Sequence, residues 1–294
     1  MKGMVRFGIA GWSYPDWEGV VYPKPKPKGF EPLGLIAGLV DAVEINSSFY
    51  APVAARNSRK WVGLIQPFPD FRFSAKLWQK FTHEKQGWTE EEVAVWKKGL
   101  EPLMESDLLA CILVQFPWSF RSNDKNFAKL KKIAESFREF HLVVEVRHSS
   151  WQQDWLLDWL KEKEISFANI DQPIFHDSIP ATEIITGKIG YARLHGRNQE
   201  NWFREGAETW ERYNYLYDRE ELSPWSERVK KLSRKTEQLF VIANNHYQGK
   251  GLANALELKF LFTEKKQPAP EILIARYPRL KEFCVPIEAQ KSLF

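Results

Sequence analysis

The stretch LVVEVR at Leu142–Arg147 carries the pattern that decides the fold. Apolar Val144 and Val146 alternate with charged residues such as Glu145, so the two kinds of side chain point to opposite faces of an extended strand. The stretch AVEIN at Ala42–Asn46 shows the same alternation. We expect the apolar face of each strand to meet a layer of helices and the charged face to point into an enclosed interior.

Similar short runs recur outward from this stretch, separated by longer segments with helical periodicity. The predicted strands are Val5–Ala10, Ala42–Asn46, Arg72–Lys76, Ala110–Phe116, Leu142–Arg147, Ser166–Asp171, Ile189–His195 and Leu239–Asn245. The predicted helices are Ala54–Ile65, Glu90–Met104, Asp124–Phe140, Gln152–Glu162 and Pro224–Gln238, with N-caps at Asp124 and Ser223. Strands that alternate with helices indicate a parallel sheet, because parallel neighbours need a crossover. We therefore predict an α/β fold, a single (β/α)8 TIM barrel domain over residues 1–294.

Two connections in this prediction are unusual. The segment between strands six and seven holds Pro173 and Pro180 and leaves little room for a helix, so we expect an irregular crossover there. The segment Arg197–Leu222 after strand seven is long and rich in aromatic residues. It would lie at the carboxyl end of the barrel, where long loops tend to be functional.

Composition limits the class of protein. Of 294 residues, 44% are hydrophobic and 27% charged, which excludes a disordered or fibrous chain. The net charge of +4 does not require a polyanionic partner. Cys111 and Cys284 form no CxxC pair, which argues against a disulfide scaffold or a zinc ribbon. With no signal-peptide pattern and no apolar run of about 20 residues, we expect a cytoplasmic protein without membrane association.

Seven motifs occur in a fixed order along the chain. They are GIAGWSYPDWEG (Gly8–Gly19), VEINSSFY (Val43–Tyr50), FSAK (Phe73–Lys76), LVQFP (Leu113–Pro117), VEVRHSSW (Val144–Trp151), RLHGR (Arg193–Arg197) and ANNHYQGKGLANA (Ala243–Ala255). Together they resemble the YecE-like family, also known as domain of unknown function 72, over about residues 7–261. The resemblance implies a TIM barrel. It implies no reaction, because the family lacks an agreed activity and is only loosely described as related to sugar isomerases.

Polar residues at the carboxyl ends of the strands form the candidate site. Barrel interiors are normally filled by aliphatic side chains, so a ring of charged strand ends predicts a ligand pocket. We predict Glu44, Glu145 and His195 as catalytic residues, with the two carboxylates facing each other across the barrel. The predicted substrate-binding residues are Asn46, Tyr50, Lys76, Gln115, Arg147, Asp171, Arg193, Arg197 and Asn244. The alternative is an ionic plug in which these charges pair and only brace the barrel.

A metal site and an anion site compete for these residues. Oxygen and nitrogen donors, including Glu145, Asp171 and His195, leave a divalent metal possible, but no cofactor is strongly implied. The nearby lysine and arginines neutralise the carboxylates and would repel a cation, so an anion such as a phosphate fits better. We therefore assign no metal ligand.

Aromatic residues on loops at the barrel mouth provide a second signal. Trp12, Trp17, Tyr50, Trp118, Trp151 and Trp202 occupy such loops and could stack on a sugar or a base. The first hypothesis is an enzyme, an isomerase or a hydrolase, that applies acid–base chemistry to a small anionic substrate such as a phosphorylated sugar or nucleotide. The alternatives are a nucleic-acid-binding protein, possibly a metal-dependent phosphodiesterase, and a barrel that has lost its chemistry and serves as a scaffold. The sequence leaves the oligomeric state open.

Overall fold

Eight parallel strands close into a barrel in chain order, with the eighth strand pairing with the first. The computed structural model describes residues 3–206 and 208–288. The barrel strands are β1 (Met4–Ala10), β2 (Ala42–Ile45), β3 (Arg72–Lys76), β4 (Leu109–Gln115), β5 (Leu142–Glu145), β6 (Ser166–Asp171), β7 (Ile189–Leu194) and β8 (Gln238–Ala243). Each agrees with a predicted strand to within two residues at either end, and the predicted α/β barrel is confirmed.

Helices of very different length connect and cover the strands. They are α1 (Pro32–Ala37), α2 (Ser47–Tyr50), α3 (Ala55–Ile65), α4 (Gln79–Thr82), α5 (Glu90–Glu105), α6 (Asp124–Ser136), α7 (Asp154–Glu162), α8 (Gln199–Trp202), α9 (Thr209–Arg212), α10 (Arg219–Ser233), α11 (Lys250–Thr263) and α12 (Glu271–Arg276). Short 3-10 turns cover Pro15–Trp17, Ser149–Trp151, Tyr247–Gly249 and Pro278–Lys281. The four predicted helices that became α3, α5, α6 and α7 are confirmed in position.

The fifth predicted helix begins earlier than expected. α10 starts at Arg219 because Asp218 caps it: the Asp218 carboxylate accepts from Glu221 N at 2.9 Å, and Glu221 accepts from Asp218 N at 3.0 Å. The predicted cap Ser223 instead donates to Arg219 O one turn back, with Pro224 inside the helix. The predicted cap of α6 was also wrong, since Asn123 accepts from Asn126 N at 2.9 Å and Asp124 is the first helical residue.

The chain after β8 forms elements that the sequence did not predict. α11 packs against β1 and β8, and a small parallel sheet follows, formed by β9 (Gln267–Pro270) and β10 (Cys284–Ile287). α12 contacts the turn that follows β8, where Tyr277, just after the helix, donates to Gln248 O at 2.7 Å. The strands β9 and β10 are short and contain prolines, which hides them from periodicity.

Side chains from alternate strand positions fill the barrel interior. The apolar part consists of Ala10, Ala42, Cys111, Leu113, Val143, Ala168, Ile170, Ile189, Tyr191, Phe240 and Ile242. Val43, Ile45, Val144 and Val146 belong to the outer core beneath the helices, as their alternation predicted. The charged residues between them therefore point inward, toward the carboxyl end.

Strand β6 is the exception to this rule. Its interior positions hold Ala168 and Ile170, so the predicted substrate-binding residue Asp171 points out of the barrel, as Asn169 does, contrary to the expectation that the polar strand ends face the interior. Asn169 Oδ1 instead accepts from Thr182 Oγ1 at 2.8 Å in the crossover to β7. The polar residues of β6 face outward because the connections around this strand supply polar partners outside the barrel.

Both unusual connections were predicted correctly. The crossover 172–188, all of whose residues the structure describes, contains no helix. In the described residues of the long segment after β7, 195–206 and 208–218, the helices are the short α8 and α9. Among residues 3–206 and 208–288, every helix is too short or too polar to cross a lipid bilayer.

Candidate functional site

Fully buried charges form the floor of the site. β2 carries Glu44, β5 carries Glu145 and β7 carries Arg193, each at most 1% exposed. Arg193 bridges the two carboxylates: Nη2 donates to Glu44 Oε1 and Nη1 donates to Glu145 Oε2, both at 2.6 Å. Paired, charge-assisted hydrogen bonds of this kind compensate the cost of removing charges from water. The two carboxylates therefore face each other across the barrel through one arginine.

Hydrogen bonds from β3 and β7 complete the floor around Glu44. The Tyr191 hydroxyl donates to Glu44 Oε2 at 2.9 Å. The Ser74 hydroxyl lies 2.7 Å from the Tyr191 oxygen and can donate to it. Both oxygens of Glu44 thus accept hydrogen bonds in the buried interior.

Glu145 and Asn244 together fix the tautomer of His195. Asn244 Nδ2 lies 3.0 Å from His195 Nδ1, and His195 Nε2 lies 3.2 Å from Glu145 Oε1. Because an amide nitrogen can only donate, Nδ1 is the acceptor and Nε2 carries the proton that points to Glu145. Burial lowers the pKa of His195 to about 3, and Arg147 adds to this shift, while Glu145 opposes it. His195 is therefore neutral at physiological pH.

A cavity of about 620 Å³ opens above this floor at the carboxyl end of the strands. Its wall combines polar strand ends with aromatic residues from the loops. The lining residues are Asn46, Phe49, Tyr50, Lys76, Gln79, His83, Gln115, Pro117, Trp118, Ser119, Arg147, Trp202, Phe203, Arg212, Tyr213, Asn244 and His246. Its size suits a ligand of small-molecule dimensions.

Lys76 lines this wall and has no carboxylate partner among the described residues. Its Nζ lies 3.8 Å from the centre of the Phe49 ring, a cation–π distance. Burial lowers the pKa of Lys76 to about 7, and Arg193 contributes by repulsion, whereas Glu44 opposes the shift. A substantial share of this amine is therefore unprotonated at neutral pH.

Two arginines on the wall keep donors without a partner among the described residues. Arg147 Nε donates to Glu145 Oε1 at 2.9 Å, but its Nη2 is buried and unpaired. Arg212 has a buried, unpaired Nε. Trp118 Nε1 and His246 Nδ1, on the same wall, are unpaired as well. An acceptor bound in the cavity would satisfy such groups.

The predicted site residues fall into three places. Six of them line the cavity: Asn46, Tyr50, Lys76, Gln115, Arg147 and Asn244. Four lie beneath it in the buried floor: Glu44, Glu145, Arg193 and His195. In the floor the charges pair with one another, as in the ionic plug considered from the sequence. The residues above the floor line a cavity, as in the predicted ligand pocket.

The remaining two predicted residues lie on the outer side of the barrel. Asp171 pairs with Arg197 at 3.0 Å, and Arg197 Nη1 also contacts Glu221 of α10 at 3.2 Å. Neither Asp171 nor Arg197 lines the cavity. They connect β6 to the long segment after β7 and to α10.

Some wall residues were missed by the sequence analysis. His83, Arg212 and His246 were not proposed, although His246 directly follows the asparagines that end β8 and Arg212 lies in the aromatic segment after β7. Of the loop aromatics that were singled out, Tyr50, Trp118 and Trp202 line the cavity. Trp17 and Trp151 are instead fully buried, and Trp12 packs against Trp61.

The donor set does not form a metal centre. Within residues 3–206 and 208–288, no three His, Cys, Asp or Glu side chains are grouped so that they could hold a metal ion. Glu145 and Asp171, two of the oxygen donors considered from the sequence, are bonded to Arg193 and Arg197.

The fold and site thus define a (β/α)8 barrel protein with a cationic, aromatic-walled cavity at the carboxyl end of its strands. The family model described as protein of unknown function DUF72 matches residues 6–276, and the chain belongs to this family.

Three relatives cover most of the chain. UPF0759 protein YunF of Bacillus subtilis (strain 168) is 30% identical over 286 residues, 92% of this chain and 99% of the relative. The crystal structure of a DUF72 family protein from Thermotoga maritima MSB8 is 34% identical, with a TM-score of 0.74 over 87% of this chain and 98% of that one. A DUF72 family protein from Enterococcus faecalis V583 is 28% identical, with a TM-score of 0.78 over 88% of this chain and 95% of that one. These structures share the barrel fold.

Proposed function

We propose that the protein is an enzyme that binds a small anionic substrate, such as a phosphorylated sugar or a nucleotide, and acts on it by general acid–base chemistry. The observation that carries this proposal is the set of unpaired donors on the cavity wall. Arg147 Nη2, Arg212 Nε and Trp118 Nε1 are buried without an acceptor among the described residues, although all three belong to residues that face the same space. A phosphate or carboxylate supplies the acceptor oxygens that these groups lack.

The charge balance of the site supports an anion. Arg193 and Arg147 offset Glu44 and Glu145, so protonated Lys76 adds one positive charge that no neighbouring carboxylate compensates. Uncompensated charge in a partly dry site is costly. An anion in the cavity would stabilise both Lys76 and the arginines.

The shape of the cavity supports a small molecule with a ring. Trp118, Trp202 and Tyr213 form part of the wall, and aromatic faces of this kind stack on sugars and bases. The volume of about 620 Å³ suits one small molecule, which favours the first hypothesis over nucleic-acid binding.

Lys76 is the group that we propose for proton transfer, because its pKa of about 7 matches neutral pH. The predicted catalytic residues Glu44, Glu145 and His195 belong to the buried floor beneath the cavity. In this proposal they act as positioning residues. Glu145 orients Arg147, and both carboxylates hold Arg193, whose positive charge helps to lower the pKa of Lys76. Asn46, Gln115 and Asn244 line the cavity and would orient the substrate.

Calorimetric titration with inorganic phosphate, followed by a panel of sugar phosphates and nucleotides, tests the proposal. We expect saturable binding by the unmodified protein. Arg147→Gln should weaken it by about tenfold or more, the effect of one lost charge-assisted hydrogen bond.

The matched control is Arg138→Gln, which removes an exposed arginine that follows α6, pairs with Glu135 and does not line the cavity. This variant should bind phosphate as the unmodified protein does. Absence of binding by any of these anions, or equal binding by the two arginine variants, would contradict the proposal. Tight binding of a single-stranded oligonucleotide that weakens steeply with salt would favour the nucleic-acid hypothesis instead.

A further inference from the structure

We propose that Lys76 is a covalent nucleophile that forms an imine with an anionic aldehyde or ketone. This inference rests on the proposed function and narrows its substrate class to carbonyl compounds that carry a phosphate or carboxylate. It assigns to Lys76 a bond-forming step in addition to proton transfer.

The position of Lys76 is fixed while its amine stays free. It is the last residue of β3, and its main-chain oxygen accepts from Ser48 Oγ at 2.7 Å. Its side chain lines the cavity, and Nζ rests on the Phe49 ring without a hydrogen-bond acceptor among the described residues. A lysine held in this way presents its nitrogen to a ligand rather than to a carboxylate.

The charges that act on Lys76 come from β2, β5 with the residues that follow it, and β7. β2 contributes Glu44, β5 contributes Glu145 followed by Arg147, and β7 contributes Arg193. Burial is the main reason that the Lys76 pKa falls to about 7, and the two arginines add to it.

The segment that follows β3 adds one more titratable group, His83. Burial lowers the pKa of His83 to about 4, so this neighbour is neutral at pH 7. Desolvated lysines beside other cations are the ones that enzymes use as amine nucleophiles.

The step balances with one proton from solvent. The Nζ lone pair attacks the carbonyl carbon, the C=O electron pair moves to oxygen, and a proton passes from nitrogen to oxygen to give a carbinolamine. Protonation of that hydroxyl lets it leave as water, and the nitrogen lone pair forms the C=N bond. One amine, one carbonyl group and one proton thus give one protonated imine and one water. Arg147 and Arg212 would hold the anionic end of the substrate meanwhile.

Reductive trapping tests the inference with pyridoxal 5′-phosphate as an anionic aldehyde and sodium borohydride as the hydride donor. Hydride adds to the imine carbon and leaves a stable secondary amine, which peptide mass spectrometry locates. We expect Lys76 to be modified about tenfold faster or more than exposed Lys85 at pH 7, because Lys76 lines the cavity that holds the anionic aldehyde and burial lowers its pKa to about 7. Inorganic phosphate should slow the modification, and pyridoxal without its phosphate should react about tenfold more slowly.

Two variants and the binding assay separate this inference from the proposed function. Lys76→Arg should abolish the adduct but still bind phosphate, whereas Lys85→Arg should leave labelling of Lys76 unchanged. If phosphate binds but Lys76 reacts no faster than Lys85, the inference is wrong and the proposed function stands. If pyridoxal and its phosphate label Lys76 equally fast, the anionic substrate class is overturned.

Discussion

At the scale of single residues, Glu145 shows how closely the floor and the wall of the site are connected. Its Oε2 accepts from Arg193 below the cavity, and its Oε1 accepts from Arg147 on the cavity wall. His195 Nε2 lies 3.2 Å from the same Oε1. Burial alone would raise the pKa of the Glu145 carboxyl, but Arg193 and its other cationic neighbours outweigh burial and hold the pKa well below its usual range. One carboxylate thus stabilises two guanidinium groups in a dry interior.

Glu145→Gln should therefore destabilise the fold by about 3–5 kcal/mol, because it removes the carboxylate partner of buried Arg147 and one of the two partners of buried Arg193. Urea unfolding monitored by circular dichroism measures the change. Glu135→Gln is the control, since Glu135 pairs with Arg138 on the exposed face of α6 and should contribute less than about 1 kcal/mol. A loss from Glu145→Gln no larger than that of the control would show that the network is unimportant for stability.

At the scale of secondary-structure elements, α10 depends on a cap that lies before its first apolar residues. Asp218 and Glu221 exchange hydrogen bonds with each other's backbone N–H groups. Glu221 also contacts Arg197 and the Tyr215 hydroxyl, so the first turn of α10 is tied to the segment that follows β7. Hydrogen bonds from Arg197 and Tyr215 to Glu221 therefore connect the start of α10 to the segment after β7.

Asp218→Ala should cost about 0.5–2 kcal/mol of unfolding free energy, because it leaves an N–H group at the start of α10 unsatisfied. Ser223→Ala should change it by less than about 0.5 kcal/mol, since that hydroxyl only bonds back to Arg219 O. Equilibrium denaturation of the two variants side by side compares the two positions. The opposite order of effects would restore Ser223 as the cap.

At the scale of the whole molecule, a buried ion pair joins the barrel to its carboxyl-terminal elements. Glu257 of α11 is 0% exposed, and Arg279, in the turn before β10, lies 2.8 Å from its Oε2. Burial raises the pKa of Glu257 to about 7 from 4.5, and Arg279 offsets this only in part. The folded protein therefore holds a proton on Glu257 at a pH where the unfolded chain has released it.

The stability that this proton contributes is present below about pH 4.5 and is lost as the pH rises through about 7. The unfolding free energy of the unmodified protein, relative to Glu257→Gln, should accordingly fall by about 2 kcal/mol between about pH 5 and about pH 8. Denaturant titrations of both proteins across this range provide the measurement, with Glu135→Gln as the control. A difference that is constant with pH would refute the assignment.

Much of the site could be predicted because strand periodicity is local. The alternation around Glu44 and Glu145 was enough to place both carboxylates in the barrel interior, and Asn244 and Gln115 followed from the ends of their strands. Periodicity did not predict the direction of the Asp171 side chain, because the pattern does not show on which side of the strand its ion-pair partner lies. That partner, Arg197, lies outside the barrel. Arg212 and His246 escaped prediction because loops have no period that reveals where their side chains point.

The sequence by itself determined the eight strands, their parallel arrangement and the inward positions of Glu44 and Glu145, since these follow from patterns within a few residues. Only the tertiary structure decided that Arg193 pairs with Glu44 and Glu145 in the buried floor of the site. It also decided that Lys76 and Arg147 line the cavity above that floor. The physical reason is that pairing between charges depends on distances across the barrel, and those distances exist only once all eight strands have closed.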